Sequence, residues 1–206
     1  MVAAVRNPQA ATRELKSLSK GPSSDLIIVK IDSLAASDAS SAAKELQDTY
    51  GITYIDLVIA NSGIGDVYAP AYQTKTEDVQ EHFAVNTLGP LRLFQGMRSL
   101  LSKSTRTPKF VILSTAIASL ELTTTFPLQT AAYGASKTAV NFICRRIHAE
   151  EDWLVTFPVS PGYVVILILS DLEIEACFLT LCLHLDGFKQ TWVTPQPPFQ
   201  VWIKHQ

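Results

Sequence analysis

Ile55-Asp56-Leu57-Val58-Ile59-Ala60-Asn61-Ser62-Gly63 is a short apolar run that closes on a polar, glycine-containing turn. Six residues are too few for a stable buried helix and enough for a strand covered on both faces. The same grammar recurs along the chain. Val2 to Val5 is a β-prone run ending at Arg6-Asn7-Pro8. Leu26 to Ile31 is apolar apart from Lys30 and ends at Asp32-Ser33, and Phe110 to Leu113 ends at Ser114-Thr115. Leu154 to Val159 ends at Pro161-Gly162.

Helical stretches separate these runs. Pro8 opens one, with helical composition over Ala10 to Leu18. Ser37 or Asp38 caps a second, which reaches about Tyr50. A third begins at Thr76 to Phe83 and continues past Asn86 and Gly89-Pro90 to about Ser102. The fourth, Ala131 to Glu150, is the longest. Strands alternating with helices imply βαβ units and a doubly wound parallel sheet. The polar strand ends then line one crevice, where such sheets bind ligands.

Composition narrows the function. The chain has 206 residues, 47% of them hydrophobic and 17% charged, which suits a folded domain with a real core. A net charge of -2 argues against a nucleic-acid surface. The apolar stretch Tyr163 to Leu185 holds Asp171, Glu173 and Glu175, which argues against a membrane span. Cys144, Cys177 and Cys182 are odd in number and fit no zinc spacing. With no apolar leader at Met1 to Arg6, they are expected to be reduced thiols in a cytoplasmic protein.

The long helix carries the chemistry. In Tyr133-Gly134-Ala135-Ser136-Lys137 a phenol and an ammonium four residues apart share a helix face. A nearby ammonium favours the phenolate, so Lys137 is expected to lower the pKa of Tyr133 and suit it to proton transfer at a substrate oxygen. Gly134, Ala135 and Ser136 leave room for a bulky ligand. Phe126 and Pro127, in the loop before this helix, are expected to border a substrate pocket.

These landmarks resemble the short-chain dehydrogenase/reductase family from about Val2 to Val164, and within it fungal ketoreductases of secondary metabolism. Tyr133 and Lys137 resemble its Tyr-x-x-x-Lys motif. Asn86 resembles its tetrad asparagine, Asn61-Ser62-Gly63 its Asn-Asn-Ala-Gly turn, and Asp32 the acid that meets adenine. Pro161-Gly162, with Val164 beyond, resembles the turn beside the nicotinamide. The resemblance implies a Rossmann-like α/β fold and an oxidoreductase that reduces a polyketide or aromatic carbonyl with NADPH. Tyr133 is then the general acid, Lys137 its partner and a holder of the nicotinamide ribose, and Asn86 the support of a proton relay. A hydroxyl from either Ser114 or Thr115 holds the substrate oxygen. Arg6 follows the first strand, where a basic residue suits the 2′-phosphate of NADP; read without the family it is a surface cation. Self-association, as a homodimer or tetramer, is implied through the helices bearing Asn86 and Tyr133.

Two features depart from the family. No Gly-rich phosphate turn occurs in the sequence, so the usual first strand is expected to be missing and its two neighbours to expose unpaired edges. After Val164 the pattern is lost. Residues 1–164 are thus read as a partial Rossmann-like domain and 165–206 as an atypical tail, the mark of a truncated or misassembled gene product. Val164 to Leu169 is apolar enough to fill the gap. The alternative function is a catalytically silent remnant that acts as an interaction subunit.

Overall fold

A computed structural model describes residues 1–18, 21, 24–126, 128–161 and the backbone of 179–182. Its elements are β1 (Val2–Val5), α1 (Pro8–Ser17), β2 (Ile27–Lys30), α2 (Asp38–Asp48), β3 (Leu57–Ala60), α3 (Thr76–Phe83), α4 (Gly89–Leu101), β4 (Lys109–Leu113), α5 (Ala131–Glu150), β5 (Val155–Val159) and β6 (Leu179–Cys182). A π-helical turn, Ala84–Leu88, joins α3 to α4, and a 3-10 turn, Ala116–Ala118, follows β4.

Local chemistry explains several boundaries. Asn7 caps α1 by accepting the Ala10 N–H, and Pro8 occupies the first helical position, where its missing N–H costs nothing. Ser37 stands at the cap of α2 without a side-chain bond; the carboxylate of Asp38 instead takes the Asp32 N–H at 3.0 Å and the Lys30 ammonium at 2.7 Å. The π turn coincides with Pro90, which has no N–H to give the Asn86 carbonyl four residues back, and the Gly89 N–H reaches Ala84 O instead.

The sheet order is β2-β1-β6-β3-β4-β5. β1 with β2, β3 with β4, and β4 with β5 are parallel. The expected gap between β1 and β3 is closed: β6 lies there, antiparallel to both, with Val2 opposite Leu181 and Leu57 opposite Cys182. Two facing sets of unpaired backbone groups are costly, and a short strand from far along the chain satisfies them. The filling strand is Leu179–Cys182; Val164 to Leu169 lies outside the described residues.

Alternation on β1 divides the core. Val2 and Ala4 join the main cluster with Leu46, Met97, Leu100, Phe110 and Ile112. Ala3 and Val5 face Ala11 and Leu15 of α1. Helices therefore cover both faces, as a doubly wound sheet requires. Phe94 and Phe110 meet edge to face at 5.5 Å. Gly96 lets α4 touch α2, since a Cβ there would lie 2.7 Å from the Ala39 backbone. Among the described residues no helix is long and apolar enough to cross a membrane.

Candidate active site

The site forms where the ends of β3 and β4 meet the first half of α5. Lys137 is 4% exposed, and its ammonium donates to the Leu113 carbonyl at 2.9 Å. Burial brings its pKa down from 10.5 to about 8. The Tyr133 ring centroid stands 5.9 Å from the Lys137 nitrogen. Burial raises the pKa of Tyr133 above its ordinary value; the neighbouring Thr115 side chain opposes this and Tyr68 adds to it, and burial prevails. The expected lowering by Lys137 is therefore not what the structure has: the ammonium is turned to the Leu113 carbonyl, and desolvation of the phenol dominates.

The two candidate hydroxyls separate. Thr115 faces Tyr133, whereas Ser114 donates to Asn141 Oδ1 at 2.7 Å. Asn141 lies one turn beyond Lys137 on α5, a spacing that the sequence displays but that its polar type alone did not single out.

Asn86, fully buried on the π turn, ties three pieces together. Its Oδ1 accepts the Ile64 N–H at 2.8 Å, and its Nδ2 donates to Ile64 O and to Ser136 Oγ, each at 2.9 Å. Ser136 in turn donates to the Tyr133 carbonyl. The turn after β3 is thereby held over the Tyr/Lys face. Its glycines are closely packed: a Cβ at Gly63 would meet Asn86 Oδ1 at 3.0 Å and Lys137 Nζ at 3.1 Å, and one at Gly65 would meet the Tyr133 ring at 3.2 Å. Gly65 and Ser136 were not anticipated as site residues; helical i, i+3 spacing from Tyr133 is the signal that points to Ser136.

The remaining residues lie further out. Asp32 caps its own turn, accepting the Leu34 N–H at 2.9 Å. With Ser33, Asn61, Ser62, Pro90 and Arg92 it lines a cavity of about 20 Å³, room for about one water. Arg6 follows β1 directly, and Pro161 follows β5 and is exposed. Gly162, Val164 and Pro127 lie outside the described residues. Phe126 does line a cavity of about 470 Å³, with Ala69, Pro70, Ile117 and Leu128. Gly134 and Ala135 form its floor, while Tyr133 and Lys137 are not among its lining. At about 100° per residue that is a neighbouring face of α5, so Phe126 does not border the Tyr133 hydroxyl through it.

A mostly parallel sheet covered by helices on both faces, with a tyrosine and a lysine on one face of α5, agrees with the fold of a short chain dehydrogenase. The family's model matches residues 1–165, and the chain belongs to that family of oxidoreductases. It is similar to the norsolorinic acid ketoreductase of Aspergillus parasiticus, 35% identical over 167 residues that cover 80% of this chain and 61% of that protein. It is also similar to a short chain dehydrogenase of Penicillium aethiopicum, 32% identical over 95% of this chain and 76% of that one. The chain thus spans about 61% of the length of the ketoreductase it matches. Among solved structures, NADPH-bound carbonyl reductase from chicken fatty liver superposes with a TM-score of 0.69 at 24% identity, over 78% of this chain and 67% of that one. At that identity the likeness speaks to fold.

Proposed function

We propose that this chain carries the proton-transfer site of an NADP-dependent ketoreductase acting on a polyketide or aromatic carbonyl. The observation that carries the reading is the Tyr133 ring with the Lys137 ammonium 5.9 Å from its centroid, Thr115 near its hydroxyl and the Gly63–Gly65 turn packed over it. A phenol whose pKa is raised keeps its proton at neutral pH, as a donor to a carbonyl oxygen must. Thr115, in preference to Ser114, holds that oxygen, since Ser114 is engaged with Asn141. Asn86 supports the relay behind Tyr133 from its braced position.

The residues fit a nicotinamide cofactor at its reactive end. Gly63, bare of a side chain, leaves the approach to the Lys137 ammonium open. Tyr133, Lys137, Asn61 and Gly63 would hold the nicotinamide ribose side, with Pro161, Gly162 and Val164 beside the ring. Asp32 would meet adenine, and Arg6 a 2′-phosphate. When bound, the cofactor supplies hydride. The names of the relatives, a norsolorinic acid ketoreductase and an NADPH-bound carbonyl reductase, support this choice of cofactor and substrate class.

The pyrophosphate end fits less well, and this favours a second reading: a silent Rossmann-like subunit. β6 runs antiparallel between β1 and β3, with Leu179 beside Ala4, so the chain enters this strand at the crevice edge. A parallel strand leaves the sheet at that edge and can feed a helix N-terminus toward a phosphate, whereas β6 arrives there. The test is the melting temperature with NADPH. The reductase reading expects stabilisation by about 2.7 kcal/mol at a hundred times the dissociation constant. No shift at millimolar NADPH would favour the silent subunit.

The proposal extends to self-association through the helices bearing Asn86 and Tyr133. Phe142, on α5, is 68% exposed and offers an apolar ring to a neighbouring copy. Sedimentation should show a dimer or tetramer, and Phe142→Glu should give monomers; a monomeric parent chain would refute the extension. Cys144 is buried, and burial pushes its thiol up to about 12, which keeps it inert.

A further inference from the structure

His82, on α3, lies one helical turn before Asn86, and its ring is fully buried. Its Nδ1 stands 2.7 Å from the Asp78 carbonyl oxygen. A carbonyl only accepts, so Nδ1 carries hydrogen and donates. Nε2 is buried and has no hydrogen-bond partner. What faces it is the carboxylate of Asp66, with Oδ1 at 3.7 Å. Among the described residues no other carboxylate pairs with this ring, although Asp78 sits one turn back on the same helix. The Asp66 side chain is 80% exposed. It follows Gly65, where an added Cβ would come within 3.2 Å of the Tyr133 ring.

We propose that His82 is a positioning residue for Tyr133, acting through Asp66 on the turn that backs the phenol ring. This rests on the reading of Tyr133 as the proton donor. Two side chains one helical turn apart, Asn86 and His82, address the same turn at successive points. Asn86 takes Ile64 through both backbone groups, and the His82 ring presents Nε2 to the Asp66 carboxylate at 3.7 Å. Gly65 lies between the two anchors, and a Cβ added there would stand 3.2 Å from the edge of the Tyr133 ring. With one anchor the turn pivots about Ile64; with both, Gly65 is fixed and the ring has one seat. A merely structural core histidine would have both nitrogens satisfied by the core, whereas this one keeps Nε2 for a surface carboxylate.

Hydrogen exchange of the backbone amides of residues 61–69 tests this in the full chain, without cofactor. His82 variants are open to misfolding, so the variant of choice is Asp66→Asn, at an exposed position. Exchange across 61–69 should quicken about tenfold, equivalent to about 1.4 kcal/mol of local protection, with the rest of the chain unchanged. Asp66→Glu should restore it. In turnover, Asp66→Asn should lower kcat for an aromatic ketone several-fold and leave the KM for NADPH unchanged. Unchanged exchange in Asp66→Asn overturns the inference, whatever the enzyme activity. A chain that reduces no ketone yet shows the exchange change refutes the reductase reading and upholds the coupling of His82 and Asp66 to the turn.

Discussion

Lys137→Met is expected to make the protein more stable at neutral pH and to remove its activity. The lysine is nearly fully buried, and its pKa falls from 10.5 to about 8 because the cation is desolvated. At 1.36 kcal/mol per unit, holding that charge costs about 3 kcal/mol. Its bond to the Leu113 carbonyl returns about 1 kcal/mol that methionine forfeits, for a net gain of about 2 kcal/mol. The sign follows from proton counting. Between about pH 8 and 10.5 the unfolded chain binds more protons at this site than the folded one, so the parent's stability rises with pH there. Below pH 8 the cost is complete. Urea unfolding at pH 7 and pH 10 should therefore show the advantage of the variant shrinking by about 2 kcal/mol. A variant that is less stable at pH 7 would show that Lys137 is a net support of the fold.

Tyr133→Phe should lower kcat for ketone reduction by about 10²- to 10⁴-fold, the range a positioned proton donor supplies. Affinity for NADPH should be nearly unchanged, because only a hydroxyl is lost. The fold should be little affected: one hydroxyl is lost, and its removal relieves the burial of a polar group. Stopped-flow measurement of the hydride step separates chemistry from release. Full activity in Tyr133→Phe would show that another group, with Thr115 the nearest hydroxyl, gives the proton.

Much of this architecture is legible in the chain because its signals are local. Leu57–Ala60 and Lys109–Leu113 are buried apolar runs with polar ends, and α5 carries its Tyr/Lys pair at helical spacing. What escaped depends on partners distant in sequence. β6 lies within a long apolar stretch that does not single out four of its residues as the strand, and its place is set by the two ladders that receive it. The π turn follows from Pro90 together with three contacts of Asn86, to Ile64 and Ser136, that no local pattern encodes. The raised pKa of Tyr133 is likewise a matter of burial: spacing puts the lysine one turn away but does not say where its ammonium points. His82 reads as a core residue until its neighbour Asp66 is known.

The position of β6 also constrains how the molecule comes together as it is made. Val2 is bonded across the sheet to Leu181, so the two edges that flank the middle of the sheet stay open until the ribosome has delivered nearly the whole described chain. Until then β1 with β2 and β3 with β4 and β5 are two separate platforms, each with a naked border. Such late, long-range closure is slow and leaves the nascent chain vulnerable to pairing with strangers. Chaperone dependence during synthesis, more than fragility once folded, is the cost this arrangement carries.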